Sequence, residues 1–345
     1  MSPNLSIILP CLNHIQFLPD RIESIFSQTF KDWECIIIDG YSDDGSWEYL
    51  NEITGVDDRF RLFQEPRNGP YDAWNKGILH AQGKYIYIAT SDDSMDSSCL
   101  EIMLNNLEAN SQCHIAHCCL KIINEGGQAH KNQWSHWEKT LFLGDLINKY
   151  HIRYSPHDVF MHGGWSTVYT SVTQLLIKRS LFDLTGLFRC NLGSIADFEW
   201  GVRASLISNI LHIPKYLATW RLHSKQLSDL KYTQSVQFPI HLCDMIEMAY
   251  QKVKHLSPNI SDKDIHNIQY IYRRQFLMRS FRQLHFTKFI KLLFKHLKIH
   301  RSAAIDFLVN FFSANILKRI NPDEYIKSLI IGHDSQNKLI KIINE

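Results

Sequence analysis

No run in the 345 residues reaches the ~18 to 20 apolar residues that a membrane-spanning helix needs. Ala303 to Leu317 comes nearest and is broken by Asp306 and Asn310. Residues 1 to 9 lack a basic stretch followed by an apolar core and a small-residue cleavage site, so no secretory signal is expected. The eight cysteines include no Cys-x-x-Cys pair with metal-ligand spacing. Cys11, Cys35 and Cys118 sit inside apolar runs, where cysteine behaves as a small buried hydrophobe. They read as reduced thiols of a cytoplasmic protein. No Gly-x-Gly-x-x-Gly occurs. Gly77 to Lys84 fails as a P-loop, because five residues separate its glycines, no Ser or Thr follows the lysine, and it precedes a strand. No internal repeat or low-complexity segment stands out.

What is present is a packed globular chain, 45% apolar and 21% charged. The N-terminal third alternates short apolar runs with helical spacing. Leu5 to Leu9, Cys35 to Ile38, Arg61 to Phe63 and Tyr85 to Ala89 read as strands. Leu18, Ile22, Ile25 and Phe26 recur at helical spacing, and helices are expected near Ser46 to Ile53 and Tyr71 to Ala81. Strands alternating with helices predict a parallel, doubly wound α/β sheet. Residues 124 to 170 show no period and read as an irregular, lid-like stretch. Thr173 to Lys178 reads as a strand, Ala196 to Ile207 as a helix, and Leu211 to Leu222 as a strand broken at Pro214. Beyond about 225 the pattern is mostly helical. Two regions are expected, 1–225 and a helical 226–345.

In open α/β sheets ligands bind beyond the carboxyl ends of the strands. Asp39 follows the second strand and Asp92-Asp93 the fourth, so these carboxylates should share one crevice. Burying them side by side is costly unless a cation compensates. A hard divalent ion, Mg²⁺ or Mn²⁺, suits oxygen ligands and would in turn bind a diphosphate. The plainer alternative is that Asp92 and Asp93 cap a helix or make a turn.

An ordered series of segments resembles the inverting glycosyltransferases of family 2, which have the GT-A fold. Leu5-Ser-Ile-Ile-Leu-Pro-Cys-Leu-Asn13 is similar to that family's opening strand. Ile37-Ile-Asp-Gly-Tyr-Ser-Asp-Asp-Gly-Ser46 resembles its second strand and Asp-Gly turn. Glu65-Pro-Arg-Asn-Gly-Pro-Tyr-Asp-Ala-Trp-Asn-Lys-Gly77 resembles the branch with a Gly-x-Tyr-Asp-Ala-x-Asn-Lys-Gly helix. Tyr87-Ile-Ala-Thr-Ser-Asp-Asp93 falls in the place of the Asp-x-Asp motif, with Ser91 at its first position. The resemblance implies a base pocket lined at Pro10, a base hydrogen bond to Asp39, and a ribose or metal contact at Asp92. It makes Asp93 the metal ligand bridging the diphosphate. Ala196-Asp-Phe-Glu-Trp-Gly-Val-Arg203 resembles the segment that supplies the general base, which implies Asp197, with Glu199 as runner-up. A helix N-terminus favours the ionised form a base needs. An ordinary N-cap is the alternative for Asp197, and Arg203 is expected to pair on its own helix. Trp220-Arg-Leu-His223, with Ser228 beyond, resembles a late motif. It implies that Arg221 neutralises leaving-group charge on the donor and that His223 reaches the metal or diphosphate. Trp165, near His157 and His162, is a candidate acceptor platform or a core tryptophan.

Residues 265 to 305 contain no Asp or Glu and nine Lys or Arg, which leaves the rest of the chain at −7 against a total of +2. Lys288, Lys291, Lys295 and Lys298 share one helical face; Phe286, Phe289, Ile290, Leu293 and Leu297 lie on the other. Such a helix either packs on the catalytic domain or contacts anionic lipid. Nucleic acid is not an expected partner. The expectation is a metal-dependent, inverting transferase moving a sugar from a nucleotide-sugar, a UDP-sugar first, to a saccharide or lipid-linked acceptor in cell-surface polysaccharide synthesis. It would work in the cytoplasm, peripheral to the inner membrane face. The rivals are a sugar nucleotidyltransferase, against which Cys11-Leu-Asn-His14 in place of a Gly-rich loop argues, and a degenerate binding relative.

Overall fold

The computed structural model describes residues 3–165, 169–224, 234–283, 286–299 and 339–343, with a few positions between 301 and 330. The first half alternates strictly: β1 (Leu5–Cys11), α1 (Leu18–Phe26), β2 (Trp33–Asp39), α2 (Ser46–Val56), β3 (Phe60–Gln64), α3 (Pro70–His80), β4 (Tyr85–Ile88), α4 (Cys99–Ala109). There follow β5 (Cys113–Asn124), α5 (Glu138–Leu143), β6 (His151–Arg153), α6 (His157–Trp165), β7 (Leu175–Lys178), α7 (Ser180–Thr185), α8 (Ala196–Ile207) and β8 (Asn209–Leu222). Helices α9 (Phe238–Val253), α10 (Asp262–Gln283) and α11 (Phe286–Ile299) precede a short β9 (Ile340–Ile342). The strands make one mixed sheet in the order β3-β2-β1-β4-β7-β5-β8-β6-β9. β1 to β4 pair in parallel, β5 pairs in parallel with β8, and β7 lies antiparallel between the two groups.

β1 and β2 are apolar along their length because both faces are covered. Alternation sorts the side chains. Ile7, Leu9, Cys35 and Ile37 meet α1 and α4; Ile8, Ile36 and Ile38 meet α3 and, beyond it, α8, α9 and α10. At Gly77 an added Cβ would lie 2.3 Å from Ile8 Cγ2, so only glycine lets α3 sit this close to β1. Helices α9 and α10 thus bury their apolar faces in the same core as α8. The expected boundary near 225 falls outside the described residues. So do Ser228, the side chain of Trp165 and most of Ala303 to Leu317. Among the described residues no helix is long and apolar enough to cross a membrane.

The break expected at Pro214 is a bulge within a continuous strand. Ile213 pairs with Cys118 and Tyr216 with Cys119, leaving Pro214, which has no N–H to give, out of the ladder. The stretch expected to be irregular holds α5, β6 and α6. All cysteines are free thiols, and of these Cys190 alone is exposed.

Under β5 and β8 lies a chain of buried histidines whose tautomers the partners dictate. His212 Nε2 donates to Ile147 O at 3.0 Å, so its Nδ1 accepts from His117 Nδ1 at 3.2 Å, and His117 Nε2 accepts from Gln174 Nε2 at 3.2 Å. His151 donates from Nδ1 to Lys149 O and accepts at Nε2 from Arg153, itself paired with buried Asp158 at 2.7 Å. Burial, then the Arg153 charge, pushes His151 down to about 3. Burial likewise holds His212 well below its ordinary value.

A histidine kept neutral in the fold but free to protonate when unfolded makes the unfolded state bind more protons below about pH 6.5. Its contribution is complete above that pH and is lost as pH falls toward about 3. We therefore expect urea unfolding to show a steeper stability loss between pH 6 and 4 in the wild type than in His151→Gln, by about 1.4 kcal/mol per pH unit. Equal slopes would mean that His151 is not held neutral.

Candidate functional site

β1, β2 and β4 are parallel, so Cys11, Asp39 and the turn after Ile88 emerge on one edge of the sheet. The end of β8 reaches the same edge and closes on that turn. Ser94 N donates to Thr219 Oγ1 at 2.8 Å, Thr219 N to Ser94 O at 3.0 Å, and Arg221 N to Asp93 Oδ1 at 2.8 Å. Asp93 Oδ2 accepts from Thr90 Oγ1 at 2.5 Å. Arg21, wholly buried, donates from Nε to Thr90 O at 2.7 Å. Asp93 is therefore turned into the fold with both oxygens engaged. Burial, then the neighbouring Asp92 charge, raises it to about 7.

Asp92 faces the other way. Its Oδ2 lies 2.9 Å from His223 Nε2. Burial opposes its charge, yet the His223 hydrogen bond and the field of His14 outweigh this and hold it below the usual range. His223 Nδ1 is buried with no hydrogen-bond partner among the described residues. His14 completes this wall, with Nδ1 2.5 Å from Ser91 Oγ and its ring 6.0 Å from that of His223. Among the described residues no three His, Cys, Asp or Glu side chains converge to cage an ion alone. An octahedral ion that takes one or two protein ligands and fills its shell with phosphate oxygens and water suits the Asp92–His223 pair.

Arg221 is placed differently from expectation. Its guanidinium, 3% exposed, donates to Asp92 O (2.8 Å), Glu125 O (2.9 Å) and Asp20 Oδ2 (2.8 Å). It braces the turn from behind instead of reaching out to a donor.

Asp39 is fully buried at the end of β2. Its Oδ2 accepts from Ser42 N at 3.0 Å and from Gln64 Nε2 at 3.4 Å, while Oδ1 is buried with no partner. Half-buried Pro10 sits opposite Ile38 in register, one step before the Cys11–Asp39 pair. The loops after β1 and β2 are zipped together. Asn13 Nδ2 donates to Asp43 Oδ1 at 2.8 Å, and Asp43 N returns to Asn13 Oδ1 at 3.0 Å.

Asp197 begins α8, half-buried. Its Oδ1 accepts from Phe198 N and from Tyr71 Oη, each at 3.0 Å. Burial, then Asp197, lifts the Tyr71 hydroxyl well above its ordinary value, so it stays a donor. One turn on, Asn75 accepts from Phe188 N at 3.0 Å and donates to Phe188 O at 2.8 Å. Tyr71 and Asn75 thus use one face of α3 to hold the segment that delivers Asp197. Sequence reasoning missed both, although their four-residue spacing inside the Tyr-Asp-Ala-x-Asn motif was the available signal. Glu199, the runner-up for the base, points into the fold. It is buried on Arg203 at 2.7 Å, with Arg189 Nε within 3.2 Å of its other oxygen but not aligned for a hydrogen bond. His157 and His162 are buried, His157 against Asp158 at 2.9 Å.

The mixed sheet, with acidic groups gathered at one edge, has the architecture of a GT-A fold. The Glycosyl transferase family 2 model matches residues 6–183, and the chain belongs to that family. It is 38% identical over 127 residues to an uncharacterized glycosyltransferase of Rickettsia felis, across 36% of this chain and 20% of that protein. It is 33% identical over 103 residues to the putative teichuronic acid biosynthesis glycosyltransferase TuaG of Bacillus subtilis, across 30% of this chain and 41% of that one. The chain spans well under half the length of these relatives. In fold it is similar to S. aureus TarS 1-349 in complex with UDP-GlcNAc, with TM-score 0.60 and 12% identity over 96% of this chain and 89% of the other. The mannosyltransferase PcManGT of Pyrobaculum calidifontis, in complex with GDP-Man and Mn²⁺, is also similar, with TM-score 0.52 and 12% identity over 98% and 88%.

Asn75→Ala would leave the buried Phe188 amide unpaired and its carbonyl with only the weak Cys190 Sγ contact at 3.8 Å, so a loss of roughly 2 kcal/mol is expected in urea unfolding. An unchanged midpoint would mean that the 188–190 segment is held by something else.

Proposed function

We propose that the protein transfers a sugar from a UDP-sugar to a saccharide or lipid-linked saccharide acceptor, with inversion, in the assembly of a cell-surface polysaccharide. The observation that carries this reading is the division of labour among acids on one sheet edge: Asp39 with an unpaired inner oxygen, Asp92 paired with His223, and Asp197 aimed by Tyr71. Asp39 offers a single acceptor, because Ser42 and Gln64 take its other oxygen. A uracil presents one N–H between two carbonyls, whereas guanine presents adjacent N–H groups that call for two acceptors. That single acceptor therefore suits a uracil edge better than a guanine edge.

At the other end Asp92 and His223 would hold Mn²⁺ or Mg²⁺, which when bound supplies a Lewis acid to the leaving diphosphate. Asp93, the ligand expected from the motif, is assigned the bracing role instead, since its oxygens are committed to Thr90 and Arg221. Asp197 would take the acceptor hydroxyl proton as that oxygen attacks the anomeric carbon opposite the diphosphate. Tyr71 would hold the carboxylate at the angle the attack needs.

Titration of UDP into the purified protein with Mn²⁺ tests the donor end. Binding is expected to need the metal and to weaken at least tenfold in Asp92→Asn. Asp197→Asn should bind UDP normally yet lose more than about 10²-fold in turnover. UDP binding that ignores both metal and Asp92 would overturn the assignment; binding without turnover of any UDP-sugar would favour the degenerate relative.

For the membrane we propose contact through the lysine face of α11. Phe289 and Leu293 pack on Leu277 of α10, which leaves Lys288, Lys291, Lys295 and Lys298 exposed around Phe294. The protein should sediment with phosphatidylglycerol vesicles and not with phosphatidylcholine alone. Each Lys→Glu change should weaken this by about 1 kcal/mol or more. Equal binding to both lipids would refute the contact.

A further inference from the structure

Two non-glycine residues among those described have a left-handed backbone: Asn13 at φ +56° and Tyr41 at φ +58°. Asn tolerates that region, and the Asn13 side chain is used in the zipper to Asp43. A tyrosine there is strained, and such strain persists only where the surroundings impose it. Here they do. Arg67 donates from Nε to Gly40 O at 2.7 Å and from a terminal nitrogen to Tyr41 O, while Ser42 N is fixed to Asp39 Oδ2 at 3.0 Å. The backbone is thus pinned on both sides of Tyr41.

The chain makes no use of the ring held in this way. It is 51% exposed and has no aromatic neighbour or side-chain hydrogen bond among the described residues. Two positions away is the unpaired, buried Oδ1 of Asp39. Leu12, 43% exposed, lies against the same turn, its Cδ1 3.4 Å from the point where a Cβ on Gly40 would stand. A flat, half-open aromatic beside a lone acceptor matches a pyrimidine, which offers an N–H on its edge and a π face above it.

We infer that Tyr41 is a donor-binding residue whose ring stacks on the uracil that Asp39 holds by its N–H. The inference rests on the reading of Asp39 as the base acceptor. It assigns a cause to the strain: the left-handed backbone places the ring over the base, and Arg67 maintains it.

The test titrates UDP and, separately, inorganic pyrophosphate into wild type, Tyr41→Gly and Tyr41→Phe, all with Mn²⁺, and records thermal midpoints. Glycine suits the backbone, so Tyr41→Gly should fold with an equal or higher midpoint and bind UDP about tenfold more weakly, with pyrophosphate affinity unchanged. Tyr41→Phe should bind UDP within twofold of wild type. Unchanged UDP affinity in Tyr41→Gly would overturn the inference. So would a lowered midpoint with pyrophosphate binding lost in parallel, which would make Tyr41 a structural residue. A Tyr41→Phe as weak as Tyr41→Gly would replace stacking with a hydroxyl contact and overturn it too. Wild type that binds pyrophosphate but not UDP would instead remove the uracil reading on which the inference stands.

Discussion

The Asp93 carboxylate sits at 2% exposure where β4 runs out, and it must be satisfied from inside the protein. Leaving a buried carboxylate unpaired costs far more than any one contact there returns. Thr90 meets one oxygen from the same turn, and the Arg221 amide meets the other from β8, more than a hundred residues away in sequence. That second bond ties the parallel N-terminal half of the sheet to the last long strand. Once β8 is drawn in, His223 is delivered to Asp92, and the Arg221 side chain follows to hold the Asp92 carbonyl, the Glu125 carbonyl and Asp20. The outward-facing pair exists because its inward-facing neighbour is tied down. Two adjacent aspartates with opposite surroundings, one pushed up to about 7 and the other held low, are the electrostatic trace of that arrangement.

The same logic runs through α3. A helix that approaches a strand as closely as Gly77 allows cannot shift along it, so Tyr71 and Asn75 occupy fixed points relative to β1. They pin Phe188 and Asp197 at the start of α8. The proposed general base is thereby referenced to the strand that also ends beside Asp39, through one helix and no flexible intermediary.

Much of this was legible in the sequence. Unbroken apolar runs marked β1, β2 and β4, and the Ala196 to Ile207 helix appears with the expected ends. Asp39, Asp92 and Asp197 could be singled out by their place just past a strand or at a helix start, although caps and turns use aspartate there too. β5 was not legible: Cys113 to Asn124 carries two histidines and a lysine among its apolar residues, and only the tautomer chain through His117 and His212 makes such a strand buriable. β6 and α6 were hidden in a stretch rich in His and Gly for the same reason. The role of Arg221 was out of reach as well. An arginine near a phosphate site reads as a phosphate ligand, and only three-dimensional structure shows that its donors are already spent on carbonyls and Asp20. Asp93 and Asp92 are indistinguishable as letters; which one turns inward depends on the approach of β8.

α11 shows what an amphipathic pattern leaves undecided. Its apolar stripe fits lipid and protein equally well, since both bury the same surface. In the fold that stripe is taken up by α10. Among the described residues of this helix, the surface left for a membrane is the lysine face and the exposed ring of Phe294. Such a surface gains from each charge separately, inserts little, and is screened over about 8 to 10 Å at physiological salt. The proposed contact is accordingly one of residence, not of anchorage. It would hold the protein near lipid-linked acceptors while leaving it free to exchange, and its strength would track the anionic lipid content of the surface rather than its thickness or fluidity.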